Sequence, residues 1–94
     1  MYLEIVTPEA VVFSAEVDAV KVPGHDGEFQ MLNNHAPIVS TLTKGEVKIN
    51  LTGSSTEKLH KSVRKSSSDS KELFYDIDGG VLESKDNKVI ILAD

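Results

Sequence analysis

Residues 11–24 read Val-Val-Phe-Ser-Ala-Glu-Val-Asp-Ala-Val-Lys-Val-Pro-Gly, and this stretch decides the fold class. Phe13, Ala15 and Val17 alternate with Ser14, Glu16 and Asp18, the period-2 pattern of a strand with one buried face. Then the phase slips, because the next apolar positions are Val20 and Val22, with Lys21 between them. A strand cannot change which face is apolar without a bulge or a bend from one sheet into another. Pro23-Gly24 stops it.

Working outward, the same alternation recurs in short pieces. Leu3 and Ile5 sit between Tyr2 and Glu4, and Thr7-Pro8-Glu9 closes that run. Downstream, Phe29 and Met31 share a face, Ile38 to Leu42 forms another piece, and Val47, Ile49 and Leu51 alternate with Glu46, Lys48 and Asn50. Leu73, Tyr75 and Ile77 follow, then Val81 to Ser84, an Asp86-Asn87 hairpin turn, and Val89 to Ala93. Gly79-Gly80 marks a tight turn or a close backbone approach. No core stretch carries helical spacing. Eight to ten short strands at this interval predict an all-β domain, a β-sandwich or flattened barrel. Its core is expected to take Leu3, Ile5, Phe13, Val17, Val47, Ile49, Tyr75, Ile77, Val89 and Ile91.

With 94 residues and no cysteine, the sequence describes one domain, 1–94, held by its core and by neither disulfides nor thiolate metal sites. The N-terminus does not read as a signal peptide, and Val89 to Ala93 is far short of the ~20 apolar residues of a membrane helix. Net charge is −5, unevenly spread. Residues 52–71, a serine-rich segment, hold five cations against Glu57 and Asp69, net +3, which leaves −8 on the rest. Phosphates are repelled by most such a surface, so a nucleic-acid partner is not expected. Residues 53–71 read as a mobile hairpin insertion; the competing reading is a short helix over Glu57 to Lys65 that pairs Leu59 with Val63.

Residues 23–37, PGHDGEFQMLNNHAP, concentrate two prolines, two glycines and two histidines. His25, Asp26 and His35 could ligate a metal, but histidines beside Gly and Asn in turns are more often solvated. No serine sits in a nucleophile elbow, and no glycine pattern here cradles phosphate. Asp76 and Asp78 share one strand face, the polar one, and read as solvated. The architectural reading explains more: Gly24 and Gly27 supply positive φ in one turn, Asn33-Asn34 a left-handed turn, and the two turns flank a short strand at one end of the sandwich. Such a loop cluster suits partner recognition.

Taken together, V-P-G-H-D-G-E at 22–28, His35-Ala36-Pro37, the Lys44-Gly45-Glu46-Val47 strand start, Gly79-Gly80-Val81-Leu82-Glu83 and Asn87-Lys88-Val89 resemble the N-terminal β-sandwich domain of the epsilon subunit of F-type ATP synthases, the counterpart of mitochondrial delta. The resemblance covers residues 1–51 and 73–94. It implies a non-catalytic rotor subunit of the central stalk that couples rotation of the c-ring to the gamma subunit during proton-driven ATP synthesis. It implies no catalytic, cofactor-binding or metal-binding residue, and a peripheral place on the cytoplasmic face of a bacterial inner membrane. Gly27 and Glu28 are then expected near the polar loops of the ring, with His35, Ala36 and Pro37 nearby at the contact with gamma and the ring. The sequence departs from the family at Gln30, often Gly, at Asn33-Asn34, often Pro-Gly, and in its longer serine-rich insertion. It also ends at Asp94, where many members continue into a helical hairpin, so neither inhibition by an inserted helix nor tight ATP binding is expected. The alternative class is a free-standing β-sandwich adaptor or ligand-binding module, with a His-Asp enzyme third.

Overall fold

A computed structural model describes residues 1–53 and 58–94. Ten strands follow in chain order: β1 Tyr2–Val6, β2 Val11–Gly24, β3 Gly27–Leu32, β4 Ile38–Leu42, β5 Gly45–Leu51, β6 Lys58–Leu59, β7 Arg64–Lys65, β8 Glu72–Ile77, β9 Gly80–Lys85 and β10 Lys88–Ala93. Among the described residues there is no helix.

The phase slip in residues 11–24 is the hinge of the architecture. In the β2–β5 ladder Val17 faces Leu51 and Ala19 faces Asn50, so Asp18 is the extra residue of a bulge. Before the bulge, β2 pairs with β1 on one edge and with β6 on the other. After it, the edges belong to β3 and β5. One 14-residue strand therefore serves two layers. The first runs β6–β2–β1–β10–β9–β4, and the second β3–β2–β5–β8–β7. β1 and β10 pair in parallel, Leu3 beside Val89 and Ile5 beside Ile91, while their neighbours run antiparallel.

The core lies between the layers and is apolar, with Leu3, Ile5, Phe13, Val17, Val20 and Val22 at 0% exposure and Met31, Val47, Ile49, Leu82, Val89 and Ile91 likewise. At about 1.5–3 kcal/mol for each large side chain removed from water, this set is what holds the domain. All the expected core residues are buried except Tyr75, which packs half-buried against the others. An amphipathic phenol keeps its polar tip towards water when it sits at a core margin. The Asp86-Asn87 turn has φ of 53° and 60°, the mirror-type hairpin turn expected of that pair. Gly80 is obligatory for space: with φ 153°, a methyl group there would collide with the Leu92 carbonyl.

The expectation for residues 53–71 falls partly on 54–57, which lie outside the described residues. From 58 onward the segment forms no helix. Lys58 and Leu59 pair with Ser14 and Phe13, whereas Arg64 and Lys65 pair with Phe74 and Leu73. The chain thus leaves the edge of one layer and joins the edge of the other. Between them the His60 amide donates to the Val12 carbonyl at 2.8 Å, and Val63, 7% exposed, enters the core. Residues 58–65 are a strap across one open side of the sandwich.

Candidate docking surface

The β2–β3 hairpin closes on the two-residue turn His25-Asp26, with Gly24 facing Gly27. Gly27 has φ 121°, a backbone shape that suits glycine. Gly24 is not in that region, contrary to the expectation for both glycines. Its reason is space, because a methyl group there would sit 2.7 Å from the Phe29 ring and from the Gly27 carbonyl. The hairpin is lashed to the end of β4, since the His25 amide donates to the Thr41 carbonyl at 3.1 Å and the Thr43 amide to the Pro23 carbonyl at 2.8 Å. Between hairpin and β4 lies a cleft of about 300 Å³, lined by residues 24–29 with Ser40 and Thr41. Glu28 is exposed, with Lys21 Nζ at 3.7 Å, a loose surface pair worth under ~1 kcal/mol.

The second turn spans residues 32–35. The His35 amide donates to the Leu32 carbonyl at 3.2 Å, and Asn34 takes the left-handed conformation with φ 63°. The Asn34 amide donates to Asn87 Oδ1 at 2.7 Å, which ties this turn to the β9–β10 hairpin. The Asn33 side chain accepts a hydrogen bond from the Met1 amino group, which also pairs with Glu16 at 3.1 Å. His35 Nδ1 lies 2.7 Å from the Ala36 carbonyl, and His35, Ala36 and Pro37 are all exposed.

The register separates what the sequence placed together. Gly27 opens β3 and Leu32 ends it, so the two turns lie at opposite ends of a six-residue strand, about 16 Å apart at the usual rise. They do not form one corner. His25 and His35 cannot reach a common ion, and among the described residues no three His, Asp or Glu side chains gather. What joins Gly27-Glu28 to His35-Ala36-Pro37 is β3 itself. Among the described residues it pairs with β2 only, and Glu28, Gln30 and Leu32 along it are exposed, Leu32 at 54%. The candidate surface is a strip.

Two further features escaped the sequence reading. The outer face of β1, β10, β9 and β4 carries an apolar patch at one end, with Glu4, Glu83, Lys85 and Lys88 beside it. Val6 stands beside Leu92 and Leu92 beside Val81, with Val39, 72% exposed, across from Glu83. Its signal was present, since Val89 to Ala93 is apolar on both faces of the strand. The outer face of the other layer is instead a charge lattice. Lys48 meets Glu72 at 3.3 Å, and Arg64 forks to Glu46 at 2.8 Å and Asp76 at 2.9 Å while stacking 5.7 Å from the Phe74 centroid. The Glu46 hydrogen bond is the largest contribution raising the Arg64 pKa, with the Asp76 charge next among those that raise it. Asp76, expected to be merely solvated, is therefore a fastening point for the strap.

Residues 1–62 match the family described as the ATP synthase delta/epsilon chain β-sandwich domain. The ATP synthase epsilon chain of Chlorobium limicola is 37% identical over 92 residues, 98% of this chain and 86% of that protein. That of Desulforamulus reducens is 38% identical over 92 residues, again 98% of this chain, which spans only 57% of that longer relative. Among solved structures, a chain of the Tetrahymena thermophila mitochondrial ATP synthase central stalk/c-ring superposes with a TM-score of 0.68 at 16% identity, over 99% of this chain and 62% of that one. A chain of the Euglena gracilis mitochondrial ATP synthase gives 0.70 at 20% identity, over 97% of this chain and 48% of that one. At those identities the structural likeness speaks for the fold.

Proposed function

The chain belongs to the ATP synthase delta/epsilon β-sandwich family, and from that premise we propose that it is a non-catalytic rotor subunit of the central stalk, carrying c-ring rotation to the gamma subunit. The observation that carries this reading is the 37% identity to an ATP synthase epsilon chain along 98% of the sequence. Geometry supports it. Torque transfer needs a body that does not shear and surfaces that grip, and here an apolar core is enclosed by two layers that share β2, while one outer face carries an apolar patch. The apolar patch of Val6, Leu92 and Val81 on the outer face of β1, β10 and β9 suits burial against a protein partner. The strip of Gly27, Glu28, His35, Ala36 and Pro37 supplies the polar contacts that fix orientation, at the ring and at gamma. The complex places the chain peripherally on a membrane, at the cytoplasmic face of the bacterial plasma membrane. Its charge, −5 overall, fits protein contacts better than contacts with anionic lipid or nucleic acid.

The test is capture from membranes in mild detergent with a tagged chain. Gamma and the c subunit are expected to come down together. Capture of neither, with the tagged chain folded, overturns the rotor reading and leaves the free-standing adaptor.

A further inference from the structure

The hydrogen-bond phase of β3 fixes which of its backbone groups are free. The two-residue turn makes Gly24 and Gly27 a bonded pair, so bonds to β2 recur at Phe29 with Val22 and at Met31 with Val20. Pro23, opposite Glu28, has no N–H to give, and its carbonyl accepts from Thr43 on the far side of β2. The amides and carbonyls of Glu28 and Gln30, and the amide of Leu32, therefore point away from β2. The Leu32 carbonyl is already taken by His35. No other strand pairs with this edge among the described residues.

Soluble proteins protect such edges with lysine, proline or a bulge. β3 has none of these: its ladder to β2 is regular, its one charged residue is Glu28, and Leu32 projects an exposed apolar side chain from its end. We propose that β3 is a strand-addition site, on which an extended segment of the gamma-type partner pairs with the backbone of Glu28, Gln30 and Leu32. This rests on the rotor reading and specifies how the strip is used. The segment would set a cation opposite Glu28 and an apolar side chain opposite Leu32, with backbone bonds giving hold and these two positions giving register. A second copy of this chain is a poor occupant. Antiparallel self-pairing about Gln30 sets Glu28 against Leu32, and parallel self-pairing brings Glu28 beside Glu28.

The test is amide exchange by NMR on the full chain, alone and with the gamma subunit of the same synthase. Alone, the Phe29 and Met31 amides exchange slowly and those of Glu28, Gln30 and Leu32 fast. In the complex, the latter three should become protected. Gln30→Pro removes only an outward N–H and is tolerated at such a position, so the isolated domain should still fold while gamma binding falls about tenfold. Gln30→Ala, which keeps the N–H, should bind as the parent does. Binding to gamma with those three amides still exchanging fast overturns strand addition and leaves the rotor reading intact. Equal binding by the proline and alanine variants does the same. No binding to gamma at all overturns both, and protection that appears at high concentration without gamma assigns the edge to self-association.

Discussion

The sandwich has two open sides, and the chain treats them differently. On the β6–β7 side the strap crosses from layer to layer, Val63 plugs the gap and Arg64 clamps it to Glu46 and Asp76. On the β3–β4 side the layers touch only where Leu42 meets Gly24, then diverge around a cleft, with Phe29 and Ile38 half-buried against the core. The first side spends its side chains on closing the core. The second leaves a backbone edge and two exposed turns to the solvent. The difference teaches where stability and where recognition reside.

Changes that break the strapped side should cost stability most. Val63→Asp puts an unpaired carboxylate into the core margin, and about 2–4 kcal/mol of destabilisation is expected, a fall of roughly 10 °C or more in thermal midpoint. An unchanged midpoint would show that the strap does not seal the core. Next is Gly27→Val, on the open side. No atom stands within 4 Å of the added carbon, so its cost comes from φ 121° alone, about 1–3 kcal/mol, and chemical-shift changes should stay within the hairpin. Arg64→Ala should leave the midpoint nearly unchanged, because the fork is exposed. It should instead speed amide exchange at Val63 and Ser66, with added salt acting in the same direction. Smallest in stability are Glu28→Lys and His35→Ala, expected within about 2 °C of the parent while weakening gamma and ring capture by a few-fold. If both variants assemble normally, the strip is only a fold element and the apolar patch carries the partner alone.

Most of the layer architecture was legible in alternation. The bulge at Asp18 was written in the slip from Val17 to Val20, and the Asp86-Asn87 turn in its two residue types. The strap was not. Two-residue strands carry no period, and Leu59 and Val63, four apart in a polar run, fit a helical turn as well as two separate contacts. Its fastening by Arg64 depends on Glu46 and Asp76 being cross-strand neighbours, a register that no local pattern announces. The site was half legible. The residue types of the two turns were read correctly as turn formers, but a strand of six residues between them already forbade a single corner. The edge polarity of β3 needed the pairing partners to be known.

The first and last strands lie side by side, Leu3 against Val89 and Ile5 against Ile91. During synthesis β1 is therefore made long before its partner, and that edge stays unpaired until residues 88–93 have emerged. Such a topology gains little from early local contacts, since the loop that β1–β10 pairing closes spans almost the whole domain. Folding is expected to be slow, on the order of milliseconds to seconds, with the nascent β1–β2 hairpin exposed meanwhile. Until β10 has paired, the first layer stays open between β1 and β9, and the core that it covers is incomplete.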